Sequence, residues 1–81
     1  MSSQILEIVE CIRELSEDAT LPKNVKQKID SIIDILNNGG SSISMQVSKA
    51  IHELEDLVED KNLESYSRTQ LYNIMSRLET V

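Results

Sequence analysis

Four groups of apolar residues recur along the chain at the spacing of an α-helix, and this feature constrains the fold more than any other. Within each group the residues follow the i, i+3, i+4, i+7 pattern, which places them along one face of a helix. No segment alternates apolar and polar residues over the length of a strand. The sequence therefore predicts an all-α protein. The four stripes are Ile5, Ile8, Val9, Ile12 and Leu15; Val25, Ile29, Ile32, Ile33 and Leu36; Val47, Ala50, Ile51, Leu54, Leu57 and Val58; and Leu71, Ile74, Met75 and Leu78.

The residues between the stripes locate the helix ends. Pro22 is favourable at the first position of a helix, and the Asn-Asn-Gly-Gly run at 37–40 is typical of a helix C-terminus. We predict four helices, near residues 3–18, 22–37, 44–59 and 65–79. Because short loops make neighbouring helices antiparallel, the expected fold is a compact antiparallel four-helix bundle. At 81 residues the chain has the size of one domain, so the bundle should span residues 1–81.

The chain also matches itself without a gap when it is shifted by 42 residues. Identical pairs include Leu15 with Leu57 and Asp18 with Asp60, and the apolar stripes of the two halves coincide. This register predicts two repeated αα-hairpins, at about residues 2–38 and 44–81. The alternative is that any two amphipathic hairpins align in this way once their stripes are matched.

Charge and cysteine content restrict the functional classes. Acidic residues outnumber basic ones by 14 to 8, so the net charge is −6. A protein that binds the phosphate backbone usually has an excess of Lys and Arg, and nucleic-acid binding is therefore disfavoured. The single cysteine excludes an intramolecular disulfide. No apolar run is long enough to span a bilayer, so we expect a cytoplasmic protein without membrane contact.

Two parts of the chain resemble one known family. They are Leu-Pro-Lys-Asn-Val-Lys at 21–26 and, at the C-terminal end, Asp-Lys-Asn-Leu at 60–63, Arg-Thr at 68–69 and Asn-Ile-Met-Ser-Arg-Leu-Glu at 73–79. Together they resemble uncharacterised protein family 0147, a group of small archaeal proteins of this length. The resemblance implies a compact helical bundle and supplies no activity. Lys61 and Glu64 stand where that family commonly has prolines, and Tyr72 where it has Trp; these departures should loosen loops without changing the fold.

The residues that could carry chemistry do not assemble into a catalytic or metal-binding motif. Carboxylate-bridged metal bundles need Glu-x-x-His, but Lys49 stands three residues before His52, the only histidine. The zinc motif His-Glu-x-x-His is also broken, because Asp56 takes the place of the second histidine. Cys11 is surrounded along its helix by glutamates, which oppose the formation of a thiolate. We expect no metal, no cofactor and no enzymatic activity.

One small basic cluster leaves an alternative function open. Lys23, Lys26 and Lys28 lie close together in sequence, and Arg68 is the repeat partner of Lys26. They could serve a nucleic-acid-associated accessory protein, or they could be solvated lysines or form salt bridges. Arg68 and Asn73 lie in the family-like segment and, together with Lys23 and Lys26, are candidate contacts for a partner. The structural alternative is that Arg68 bonds backbone carbonyls of the neighbouring loop and Asn73 ties two helices together.

A few large apolar residues lie off the stripes, and these lead to the preferred functional hypothesis. In each case one member of a repeat pair is apolar while the other is polar. Such residues are candidates for covering by another chain. We expect a non-enzymatic helical protein-interaction module that binds a protein partner, including itself as a homodimer, and Leu6 and Tyr72 are the candidate self-association residues. The pairs are Leu6 with Ser48, Met45 with Ser3, Ile35 with Arg77, and Tyr72 with Asp30.

Overall fold

The computed structural model describes residues 3–37 and 42–81, with Ser3 described by its backbone alone. Within these residues there are four helices and no strand: α1 (Ser3–Ser16), α2 (Lys23–Asn37), α3 (Ile43–Leu57) and α4 (Ser65–Glu79). The predicted all-α class and antiparallel four-helix bundle are confirmed. α1 and α3 each end two residues before their predicted ends, because a turn with hydrogen bonds between residues three apart follows each helix. The N–H groups of Glu17 and Glu59 bond to the carbonyls three residues earlier instead of four.

The side chain of Ser42 caps the N-terminus of α3. Ser42 is extended, and its hydroxyl accepts a hydrogen bond from the N–H of Met45 at 3.2 Å. This bond satisfies one of the N–H groups that have no partner inside the first turn of a helix. The predicted C-terminal signal of α2 at residues 38–40 lies outside the described residues.

The helices form a ring in which each helix packs against two others. α1 contacts α2 and α4, and α3 contacts the same two, so α1 lies diagonally across from α3. The predicted stripes meet in one central core, and their members are buried apart from four half-buried residues: Leu15, Val47, Ile51 and Met75. Of the off-stripe residues, Leu6, Met45 and Tyr72 are exposed, whereas Ile35 is half-buried against the core. Tyr66 is exposed as well.

The 42-residue repeat is visible in the hydrogen bonds of the two hairpin loops. The N–H of Leu21 donates to the carbonyl of Asp18, and the N–H of Leu63 donates to that of Asp60, both at 3.2 Å. Each aspartate also accepts a backbone N–H two residues later on its Oδ1, at 2.9 Å in the first loop and 2.8 Å in the second. The bounds of α2 and α4 are likewise 42 residues apart. The bundle is therefore built from two repeated hairpins, α1–α2 and α3–α4.

Candidate interaction surface

Arg68 lies at the loop end of the bundle, where its guanidinium binds two backbone carbonyls. Its Nε donates to the carbonyl of Val58 and its Nη2 to that of Asp60, both at 2.9 Å. Val58 is the C-cap of α3, so Arg68 serves carbonyls that have no partner within the helix. Arg68 therefore has a structural role in this geometry, which is to bond backbone carbonyls of the neighbouring loop. The side chain is partly buried, and these two donors are already occupied.

The three lysines at the start of α2 do not form one basic face. Lys23 and Lys28 are exposed, whereas Lys26 is half-buried and lies close enough to Asp18 to stabilise its carboxylate. Five positions of a helix separate Lys23 from Lys28, which corresponds to about 140° around the axis. The two exposed ammonium groups therefore diverge.

Two aspartates organise the loop end. The backbone N–H of Thr20 and its hydroxyl both donate to Asp18 Oδ1, and together with the charge of Lys26 they lower the pKa of Asp18 below its ordinary value of 3.8. Asp60 Oδ2 accepts a bond from Asn24 Nδ2 at 3.1 Å, which joins α2 to the loop of the other hairpin. Both carboxylates thus serve local structure, and the polar residues of this end are largely used in binding one another.

Asn73 and His52 take no visible part in a site. Asn73 is exposed on α4, and its side chain makes no hydrogen bond within residues 3–37 and 42–81, so the expected tie between two helices is not found there. His52 is exposed on α3. In the described part of the chain, no three His, Cys, Asp or Glu side chains come close enough to hold a metal ion.

Cys11 has a partner that sequence reasoning missed. Arg77 on α4 donates from Nη1 to Cys11 Sγ at 3.0 Å, and its Nη2 lies 3.8 Å from Glu7 Oε2. The contact links the first helix to the last, between residues 66 positions apart, and a local sequence pattern therefore could not predict it. Nearby, a groove of about 230 Å³ between α1 and α4 is lined by Cys11, Glu14, Leu15, Tyr66 and Gln70.

A second groove runs between α3 and α4 at the end of the bundle that holds the C-terminus. Its volume is about 460 Å³. The lining includes Val47 and Ile51, which the sequence placed in the core but which the fold leaves half-exposed. The lining residues are Ile43, Ser44, Val47, Ser48, Ile51, Leu78, Glu79 and Val81. Apolar and hydroxyl side chains dominate this surface, and Glu79 is the one charged residue among those that line it.

The two candidate self-association residues lie on opposite sides of the bundle. Tyr72 precedes Glu79 by seven residues, which brings it within about 20° of the same helix face, so it extends the α3–α4 groove. Leu6 is the repeat partner of Ser48, which lines that groove; Leu6 therefore belongs to the α1–α2 side. In a ring of four helices these two sides face away from each other. The structure does not unite Leu6 and Tyr72 in one patch.

The fold defines a small antiparallel bundle of two repeated helical hairpins. The chain belongs to the uncharacterised protein family UPF0147, which matches residues 1–81, in agreement with the resemblance of its segments. A UPF0147 protein of Methanosarcina mazei is 31% identical over 80 residues, covering 99% of this chain and 86% of the relative. One of Thermoplasma volcanium is 32% identical over 75 residues, covering 93% and 84%.

A solved structure has the same fold. The crystal structure of MMP1188, a protein of unknown function, is 32% identical in sequence and superposes with a TM-score of 0.92, covering 96% of this chain and 89% of that one. These relatives establish an archaeal family without an assigned activity. Within residues 3–37 and 42–81, none of the helices combines the length and the apolar composition that a membrane-spanning segment requires.

Proposed function

We propose that this protein is a non-enzymatic helical protein-interaction module of the cytoplasm that associates with itself as a homodimer. One observation carries the proposal. Tyr72 is 50% exposed in the middle of α4, at the position where the first hairpin has the charged residue Asp30. A tyrosine is large, rigid and amphipathic, and such side chains often anchor contacts between proteins.

The size of the bundle gives self-association a physical reason. A chain of 81 residues buries a smaller fraction of its surface than a larger domain, and small bundles commonly gain stability by association. Several large apolar side chains remain exposed and available for this purpose. Besides Tyr72 they are Leu6, Ile43, Met45, Tyr66 and Val81.

The alternative function, a nucleic-acid-associated accessory protein, finds less support in the geometry. It relied on Lys23, Lys26, Lys28 and Arg68 acting together. Two donors of Arg68 bind backbone carbonyls, and Lys26 lies beside Asp18. Binding of a phosphate backbone needs several basic side chains on one surface, and two diverging lysines on a chain of net charge −6 do not provide it.

Sedimentation equilibrium over low to high micromolar concentrations tests the proposal. We expect the apparent mass to rise with concentration from 9.2 kDa towards twice that value. A mass that stays at 9.2 kDa throughout would remove the homodimer. Retention on immobilised nucleic acid that weakens as salt is added would instead favour the accessory-protein alternative.

A further inference from the structure

The two hairpins present chemically different outer faces, although they share one backbone plan. We define the α3–α4 face as the exposed side of that helix pair, and the α1–α2 face as its repeat counterpart. Exposed residues of α2 on the α1–α2 face include Lys23, Asp30 and Asp34. The residues at the same repeat positions on α4 are Ser65, Tyr72 and Ser76, which are also exposed and carry no charge at neutral pH.

The apolar stripe is also less covered on the α3–α4 face. Ile5 and Val9 of α1 are buried, whereas their repeat partners Val47 and Ile51 are half-exposed. Ile33 of α2 is buried as well, while its partner Met75 on α4 is half-exposed. The groove between α3 and α4 lies along this exposed stripe. Exposed apolar surface and the loss of the three α2 charges therefore coincide on the same side of the bundle. The exposed carboxylates that remain there are Glu55, the repeat partner of Arg13, and Glu79, the repeat partner of Asn37.

We propose that the α3–α4 face is the surface through which two copies of this chain pair, with each copy using the same face. This inference rests on the proposed self-association and specifies where it occurs. Pairing covers the half-exposed Val47, Ile51 and Met75 together with Tyr72, and burial of such apolar surface stabilises an interface. The centres of protein interfaces are depleted of charged residues, and Ser65, Tyr72 and Ser76 stand on α4 where α2 has three charged residues. The opposite face keeps the exposed charged residues Arg13, Lys23, Asp30 and Asp34.

The dimensions of the face suit a stable dimer. The bundle measures 32 × 19 × 19 Å, so one long side covers about 600 Å² in projection. A rough protein surface exceeds its projection, and a standard interface buries about 800 Å² on each partner. One complete side of the bundle is thus the right size for one pairing. Because a two-fold dimer uses the same patch on both copies, this pairing closes and does not grow into a filament.

Substitutions to glutamate on the two opposite faces test this location. Tyr72→Glu and Ser48→Glu place a charge on the α3–α4 face at exposed positions, where the fold itself should tolerate it. Leu6→Glu is the matched control, because Leu6 is the repeat partner of Ser48 and lies on the α1–α2 face. Circular dichroism verifies the helical fold of each variant, and sedimentation equilibrium gives its dimer Kd.

We expect Kd to rise at least about tenfold for Tyr72→Glu and for Ser48→Glu, and to remain within about twofold for Leu6→Glu. Dissociation by Leu6→Glu but not by the other two would overturn the location and leave self-association standing. Indifference to all three substitutions would likewise place the contact elsewhere. A monomeric wild-type protein would refute the proposed self-association itself, so the two failures are distinguishable.

Discussion

Ser67 of α4 occupies the core position that Val25 holds in α2. The two residues are 42 positions apart, and they are 1% and 0% exposed. The hydroxyl of Ser67 has no hydrogen-bond partner within residues 3–37 and 42–81. The repeat has thus kept the buried position while replacing an apolar side chain by a polar one, which costs free energy when the hydroxyl is unpaired.

Removing the Ser67 hydroxyl should stabilise the protein. Ser67→Ala deletes a buried group that lacks a partner and introduces the residue with the highest helix propensity. We expect the free energy of unfolding to increase by about 1 kcal/mol, which for a domain of this size corresponds to a rise of about 4–8 °C in Tm. Urea and thermal unfolding would measure the change.

The reciprocal change at Val25 serves as the control. Val25→Ser creates a cavity and buries a second hydroxyl, so it should cost about 3 kcal/mol. If Ser67→Ala lowered stability instead, the hydroxyl would be shown to make a favourable bond, for example to an ordered water.

Equivalent core positions in the two hairpins should have similar energetic weight. Ile12 and Leu54 are repeat partners, and both are completely buried. Truncation to alanine at either site should cost about 2–5 kcal/mol, and we expect the two costs to agree within about 1 kcal/mol. Urea unfolding of Ile12→Ala and Leu54→Ala tests this. A difference of several kcal/mol would show that the two hairpins contribute unequally to the core.

Arg68 should matter more for stability than its repeat partner Lys26. Arg68→Met removes the donors that bind the carbonyls of Val58 and Asp60 and should cost about 2 kcal/mol. Lys26→Met is the matched control, which we expect to cost clearly less than Arg68→Met because it loses mainly a surface attraction to Asp18. Equal losses in the two variants, measured by urea unfolding, would contradict a capping role for Arg68.

Local sequence pattern predicts the parts of this fold that depend on neighbours along the chain. The period of the stripes gave the helices and most of the core, and the 42-residue register anticipated the matching loops. Local sequence pattern could not predict the contacts that depend on how the two hairpins assemble. The Arg77–Cys11 contact joins the first and last helices, and the sides of the bundle taken by Leu6 and Tyr72 follow from the ring order.

The half-exposure of Val47 and Ile51 has the same origin. Both residues follow the stripe of α3 as regularly as Ile5 and Val9 follow that of α1. Periodicity identifies the face of a helix that turns towards the core, but the width of the covered strip depends on the neighbouring helix. The α3–α4 groove therefore could not be predicted from the sequence pattern, because it depends on how α3 and α4 pack together.

Stability should fall in acid partly through Asp18. Bonds from the backbone N–H and hydroxyl of Thr20 lower the pKa of Asp18 in the folded state below 3.8, its ordinary value. The stability that this carboxylate contributes is therefore complete well above that value and is lost as the pH falls through the lower pKa of the folded state. Between about pH 5 and about pH 2, wild-type protein should lose more stability than Asp18→Asn in thermal unfolding experiments. Parallel pH profiles would contradict this assignment.

Dilution monitored by amide NMR spectra tests pairing through the α3–α4 face most directly. As a dimer separates, chemical shifts should change for residues 48–51 and 72–79, which include groove residues and Tyr72. The repeat partners of these residues at 6–9 and 30–37 provide an internal control in the same spectrum and should stay constant. Changes concentrated at 6–9 and 30–37, or spectra that do not depend on concentration up to high micromolar levels, would contradict the account.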